Sequence, residues 1–212
     1  MTLVTDNLNV PIIGVARHRL LVDGKGVTTL VAFQGCPLHC RYCINDSCHD
    51  ANRPWRRVTP QQLVDEVGID NLYFLATGGG VTFGGGEPLL QSRFIEAFAA
   101  LCLPQWTINI ETSLNVQRGH LERVLPVVSN FIIDIKDMNP EIYRAYTDLD
   151  NHLVLENLRW LMAHEGMSER VTVRVPHIPN HNTDSDVTAS RRVLTQMGVT
   201  QVDEFDYRIP NQ

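Results

Sequence analysis

Cys36, Cys40 and Cys43 fall within the octapeptide Cys36-Pro37-Leu38-His39-Cys40-Arg41-Tyr42-Cys43, at C-x3-C-x2-C spacing directly after a predicted strand. Three clustered thiols are one short of a closed tetrahedral metal site. They suit an open site, which keeps one position free for water or substrate. A cubane iron–sulfur cluster held by three thiolates leaves one iron without a protein ligand, and chemistry can take place there. Zinc is the competing interpretation, because Cys48, His39 and His49 are near enough in sequence to supply a fourth ligand. The loop taken alone leaves both standing.

A second motif lies further along. The stretch Ala76-Thr77-Gly78-Gly79-Gly80-Val81-Thr82-Phe83-Gly84-Gly85-Gly86-Glu87-Pro88 holds six of the chain's 14 glycines. Glycine permits positive φ and close approach of a ligand to the main chain, so a glycine tract between a strand and a helix makes a binding edge. Neither G-x-x-x-x-G-K-[ST] nor a helix-opening G-x-G-x-x-G is present, which argues against a phosphate-binding loop. The charged member is Glu87, and a carboxylate there suits a cationic ligand such as an α-ammonium group. The bland alternative is a tight turn with a solvated glutamate.

These residues must be positioned by an alternating β/α framework. Predicted strands fall at Thr28–Gln34, Gly80–Phe83, Trp106–Glu111, Phe131–Asp134, Arg170–Val175 and Glu204–Ile209, preceded by an extended segment, Ile12–Val22. Predicted helices begin near Pro60 and cover Ser92–Cys102, His120–Val128, Asn151–His164 and Thr183–Met197. Thr59, Pro60 and Gln62 carry a capping-box start. This alternation calls for a mainly parallel sheet, as an open doubly wound sheet or an incomplete barrel. Either form collects reactive groups at the carboxyl ends of the strands, where Cys36, Glu87, Glu111 and Asp134 fall.

The bulk properties fit a single domain over residues 1–212, with its core at about 28–209. At 212 residues, 43% hydrophobic and 20% charged, the chain resembles an ordinary globular protein. A formal charge of −6 argues against nucleic acid or an anionic membrane as partner. No apolar run reaches the length of a membrane span, and the N-terminus lacks the order of a secretory signal. Packed cysteines without a disulfide pattern point to the cytoplasm.

The two motifs together resemble the radical S-adenosylmethionine (SAM) superfamily: CPLHCRYC matches its cluster loop and Gly85-Gly86-Glu87 its motif for the SAM ammonium group. TGGGVTFGGGEPLL is similar to the corresponding segment of glycyl-radical enzyme activases of the pyruvate formate-lyase activating type. ETSLNV at 111–116, FIIDIKDMN at 131–139 and VRVPHIPNHN at 173–182 extend the likeness. The resemblance implies a partial (βα)6 barrel and a [4Fe–4S] cluster on Cys36, Cys40 and Cys43, whose open iron chelates SAM. It places Tyr42 near the adenine and Gly84, Gly85, Gly86 and Glu87 at the methionyl end. Thr112, Asp134, Lys136 and Arg174 become SAM contacts, with a monovalent cation as a possible occupant at Glu111, Thr112 and Asp134.

The implied activity is anaerobic reductive cleavage of SAM, giving a 5′-deoxyadenosyl radical that abstracts hydrogen from a substrate. The implied substrate is a backbone glycine of a partner glycyl-radical enzyme, with flavodoxin or ferredoxin as one-electron donor. Modification of another peptide or a small molecule, or a zinc-stabilised binding protein without catalysis, are the alternatives. Structural roles also compete for single residues: a solvated Lys136–Asp137 pair, and a strand-end ion pair for Arg174.

Two departures stand out. The family's G-P-G-[IV]-R segment is replaced by Asp23-Gly24-Lys25-Gly26-Val27-Thr28, and residues 44–77 hold only Cys48, so no second cluster is expected. His177 and His181 are expected to be a surface pair, Cys48 a loop thiol and Cys102 a buried helix thiol. Trp55 with Arg53, Arg56 and Arg57 is the one basic cluster, with an acidic partner as its possible use.

Overall fold

The computed structural model describes residues 8–50 and 56–207. Arg53, Trp55 and Ile209 therefore lie outside the described residues. One eight-stranded sheet carries the fold, in the order β3-β1-β2-β4-β5-β6-β7-β8. Strand β1 (Val10–Leu20) runs antiparallel to β2 (Val27–Phe33), and the short β3 (Arg56–Val58) pairs antiparallel with β1. From β2 onward all pairings are parallel, through β4 (Gly80–Gly85), β5 (Thr107–Thr112), β6 (Asn130–Asp134), β7 (Val171–His177) and β8 (Gln201–Asp206). Six parallel strands, with β3 and β8 outermost among the described residues, form the expected partial α/β barrel.

The helices begin where their caps place them. In α1 (Pro60–Val67) the Thr59 hydroxyl accepts from Gln62 N–H at 3.2 Å, and Gln62 accepts from Thr59 N–H at 2.9 Å. Helix α2 is Asn71–Thr77, α3 Ser92–Leu101 and α4 Arg118–Val124. Helices α5 (Pro140–Thr147), α6 (His152–Met162), α7 (Met167–Arg170) and α8 (Asp184–Gln196) complete the set, α8 with a Thr183–Asp186 capping box. Helices α2, α5 and α7 and strand β3 lie outside the sequence expectation. Each is eight residues or fewer, too short for a clear periodic pattern.

Apolar side chains pack between the outer face of the sheet and the helices. Phe33 stacks on Phe83 at 5.4 Å, and Phe94 and Phe98 meet them edge-on at 5.6 and 5.2 Å. Edge-to-face rings satisfy the quadrupole preference while burying large area. The opposite, concave face is polar. Asn130 donates to Asn109 at 2.8 Å, and Asn109 donates to Thr82 at 3.2 Å, a buried relay across three strands. That polar concavity makes the strand ends a place for ligands.

Candidate active site

A cavity of about 810 Å³ opens at the carboxyl ends of the parallel strands, lined by Cys36, Cys40, Cys43, Gly85, Gly86, Glu87 and Lys136 among others. The cluster loop and the glycine edge, 50 residues apart in sequence, meet through the backbone. Gly86 N–H donates to Phe33 O at 2.9 Å and Glu87 N–H to Gly35 O at 2.8 Å. Gly85 takes φ +91° and lies against Ala32, a conformation and a proximity that exclude a side chain. Asn45 adds a side-chain tie, donating to Gly85 O at 3.1 Å.

Helix α5 holds the loop from the other side. Its last carbonyls accept from the loop: His39 N–H reaches Thr147 O at 3.0 Å and Arg41 N–H reaches Tyr146 O at 3.1 Å. Helix ends leave such carbonyls unsatisfied, so α5 and the loop complete each other. Arg41 also pairs with Asp148 at 2.7 Å.

The three thiols are chemically unequal. Burial pushes Cys36 up to about 12, with the Glu87 charge adding to it, and burial raises Cys40 as well. A hydrogen bond from the Cys48 thiol lowers Cys43 to about 6, against the effect of burial and with help from Asn45 N–H. Cys48 is buried behind Cys43, outside the cavity lining.

Glu87 is 1% exposed, so it is not the solvated turn residue of the bland alternative. Its Oε1 accepts from Thr112 Oγ1 at 2.7 Å and Leu89 N–H at 3.1 Å. Its Oε2 accepts from Ser113 N–H at 2.9 Å and Ser113 Oγ at 2.7 Å. Burial raises its affinity for a proton, while these hydrogen bonds favour the carboxylate. Four donors fix the carboxylate at the cavity wall.

Across the cavity, Arg174 Nη1 donates to Glu111 Oε1 at 2.7 Å, and Lys136 Nζ lies 3.6 Å from Asp134. Burial pushes Glu111 up to about 7, opposed by the Arg174 charge. Burial would lower Lys136, but Asp134 and the Cys40 sulfur outweigh it and hold the ammonium charged. Lys136 adopts φ +58°, a strained position for a side-chain-bearing residue that turns its amine inward.

Two expectations are corrected here, the solvated Lys136–Asp137 pair and the His177–His181 pair. Lys136 and Asp137 are not a solvated pair: Lys136 is 12% exposed, and buried Asp137 accepts from Asn139 N–H at 2.8 Å and Asn182 at 3.1 Å. Tyr42 does not line the cavity, and its ring meets Tyr146 and His181 edge-on. Gly84 is also outside the lining, packed against Glu111 and Leu30. His177 and His181 form no pair: His177 reaches Asp184 at 3.3 Å, and His181 packs on Tyr42 and Tyr146. Asn45, Ser113 and Tyr207 are cavity-lining residues that the sequence analysis missed. Ser113 was signalled by its place directly after Glu111-Thr112, and Asn45 by its place two residues after Cys43. Nothing local marked Tyr207.

The donor set fits a polynuclear cluster. No group of three or more Cys, His, Asp or Glu among the described residues is arranged to hold a single metal ion. His39 and His49 stack on each other at 4.5 Å, and neither lines the cavity. Three free thiols around one chamber suit a cluster, in which each sulfur binds its own iron. Buried thiols that resist ionisation unaided are deprotonated by a bound metal.

Comparison with known proteins agrees. The family model described as Radical SAM superfamily matches residues 30–191. The (2S)-3-sulfopropanediol dehydratase activating enzyme of Klebsiella oxytoca is 35% identical over 170 residues, 79% of this chain and 52% of that protein. The pyruvate formate-lyase 1-activating enzyme of Escherichia coli (strain K12) is 31% identical over 172 residues, 78% of this chain and 67% of that protein. The chain thus spans about half the length of the first relative and two thirds of the second. Among solved structures, Streptococcus suis SuiB bound to precursor peptide SuiA aligns with TM-score 0.63 at 11% identity, over 84% of this chain and 38% of that chain. Native anSMEcpe with bound AdoMet aligns with TM-score 0.56 at 18% identity, over 82% of this chain and 49% of that chain. These two likenesses speak for the fold alone. With a family model across most of its length and relatives above 30% identity, the chain belongs to the radical SAM superfamily, beside the glycyl-radical enzyme activases.

Proposed function

We propose that the chain is a radical SAM activase that installs a glycyl radical on a partner protein. One observation carries this reading: Cys36, Cys40 and Cys43 share a single cavity with Gly85, Gly86 and Glu87. Bound there, a [4Fe–4S] cluster and SAM supply reductive C–S cleavage and a 5′-deoxyadenosyl radical that takes a hydrogen atom. The chain's own residues position and tune. Cys36, Cys40 and Cys43 hold the cluster, and Gly85 and Gly86 let the cofactor approach the main chain. Glu87, fixed by Thr112, Ser113 and Leu89, presents negative charge to the SAM ammonium. Lys136 places a buried cation beside Cys40, where it favours added negative charge on the sulfur cage. Arg174 holds Glu111 in place.

The residues considered for a monovalent cation each have one contact of their own in this chain. Arg174 occupies Glu111, Lys136 faces Asp134, and Thr112 donates to Glu87. Arg174 and Lys136 thus bring positive charge to the same corner of the cavity. Tyr42, on the cluster loop with its ring edge-on to Tyr146, remains the proposed neighbour of the adenine.

The relatives named as activating enzymes support a glycyl-radical enzyme as partner, and flavodoxin or ferredoxin is the donor proposed with it. No helix among the described residues is long and apolar enough to cross a membrane. A cytoplasmic, anaerobic setting and a single radical SAM unit over 1–212 complete the proposal.

The test is anaerobic iron–sulfide reconstitution followed by reduction with SAM. Brown protein releasing 5′-deoxyadenosine is expected, with loss of the cluster in Ala variants of Cys36, Cys40 or Cys43 and retention in Cys48→Ala and Cys102→Ala. Colourless, zinc-bound protein would sink the proposal. Deuterium transfer into 5′-deoxyadenosine from a glycine-labelled partner identifies the target.

A further inference from the structure

Tyr146, in the last turn of α5, is fully buried, and its hydroxyl has no hydrogen-bond partner among the described residues. Three rings enclose it edge-on: His181 at 5.0 Å, Tyr42 at 6.0 Å and Tyr207 at 6.1 Å. The groups that face the hydroxyl, Tyr207 Oη and Tyr42 N–H, do not close a bond to it. A buried tyrosine normally engages its hydroxyl, and one left idle points to a redox role or an absent partner. Its main chain already grips the cluster loop, Arg41 N–H donating to Tyr146 O at 3.1 Å. The charge of Cys40, the residue before Arg41, acts on the idle hydroxyl.

Tyr207 connects this buried group to the cavity, which it lines together with Cys40, Cys43 and Lys136. Its N–H donates to His177 O at 2.9 Å, which fixes its backbone beside the end of β7. Lys136 Nζ lies 5.9 Å from the centre of its ring, a cation–π distance. The negative charges that act on it most strongly are those of Cys40 and Cys43. Burial pushes both phenols up, so both stay protonated and able to donate. Of the two, Tyr146 is the donor and Tyr207 the acceptor, which leaves the Tyr207 proton to give. Lys136 carries only donors and offers that proton no acceptor, whereas sulfur does.

We propose that Tyr207 donates a hydrogen bond to the sulfur cage held by Cys40 and Cys43, and that Tyr146 is the positioning residue that turns it there by donating to the Tyr207 oxygen. The inference rests on the proposed function, because the acceptor is the cluster bound in this cavity. Hydrogen bonds to the sulfurs stabilise the added electron of a reduced cluster and raise its potential. The idle hydroxyl of Tyr146 is then the metal-free state of a relay that closes when the cage is present.

An EPR-monitored redox titration of the reconstituted protein without SAM tests this. At the wild-type midpoint, the ratio of reduced to oxidised cluster is expected to fall about tenfold in Tyr207→Phe, a shift of about 59 mV for one electron. Tyr146→Phe is expected to shift it less and in the same direction, and the double variant to match Tyr207→Phe, since Tyr146 acts only through Tyr207. An unchanged potential in Tyr207→Phe, or a Tyr146→Phe shift that adds to it in full, would overturn the inference. So would a Tyr207→Phe protein that keeps its potential and loses SAM affinity, because the donor would then serve SAM. Urea unfolding of the metal-free protein is the second measurement. Tyr146→Phe is expected to keep or raise the wild-type midpoint, because it removes an idle donor. A lowered midpoint would mean that the hydroxyl is already engaged, against the inference. Failure to assemble a four-iron cluster would overturn the proposed function and this inference together; a cluster indifferent to both tyrosines overturns the inference alone.

Discussion

The side-chain amide of Asn45 donates to the carbonyl of Gly85 at 3.1 Å, joining the segment after the third cysteine to the end of β4. Asn45 N–H also reaches the Cys43 sulfur. Asn45 therefore adds a side-chain tie between the sulfur cage and the glycine edge to the backbone pairs of Gly86 and Glu87. Asn45→Ala should retain full iron content yet bind SAM about tenfold more weakly, the worth of roughly one net hydrogen bond. Asn45→Asp, isosteric but unable to donate, should do the same or worse. Iron analysis with the SAM-induced change in the reduced cluster's EPR spectrum separates positioning from simple loss of the cluster.

The inequality of the thiols predicts their reactivity in metal-free protein. At pH 7 Cys43, lowered to about 6, is mostly thiolate, whereas Cys36, pushed up to about 12, is protonated. Iodoacetamide should modify Cys43 first, as peptide mass spectrometry would record. Because the Cys48 thiol is the first cause of the lowered value, Cys48→Ala should slow that reaction at pH 7 and leave Cys36 unaffected.

Glu87 serves stability as well as binding. In Glu87→Ala, buried donors from Thr112, Ser113 and Leu89 lose their acceptor. A loss of about 2–4 kcal/mol is expected, at a cost of roughly 1–3 kcal/mol per unsatisfied group with partial relaxation. Urea unfolding of the metal-free protein measures this without any cofactor. A wild-type midpoint would show that the pocket rearranges to satisfy those donors.

Glu111 supplies a pH signature. Its folded carboxyl, at about 7, holds a proton more tightly than the ordinary value of 4.5. Its contribution to stability is thus complete below about pH 4.5 and is lost as pH rises through about 7. Relative to Glu111→Gln, the wild type should lose on the order of 2 kcal/mol between pH 5 and pH 8. Unfolding of both proteins across that range checks the sign, and parallel curves would contradict it.

The sequence by itself determined which residues are candidates for the chemistry. Cys36, Cys40 and Cys43 are local in the chain, and their spacing marks a metal site that only the second motif, Gly85-Gly86-Glu87, identifies as an open one. The strand–helix alternation and the capping residues Thr59 and Thr183 likewise express short-range periodicity and hydrogen bonding, which sequence displays directly. Only the tertiary structure decided what those atoms face. Lys136 gives no local sign that it lies buried between Asp134 and Cys40, because that placement depends on β6 and the cluster loop meeting across about 95 residues of chain. Helix α5 was too short to stand out, yet its final carbonyls hold the loop. Residues 23–28 read as a departure from the family's pattern; the turn at 21–26, folded against Thr82 and Arg174, lines the chamber through Leu21, Val22 and Asp23. Ligand type follows from spacing along the chain, whereas burial, ion pairing and the shape of a cavity arise only when distant segments meet.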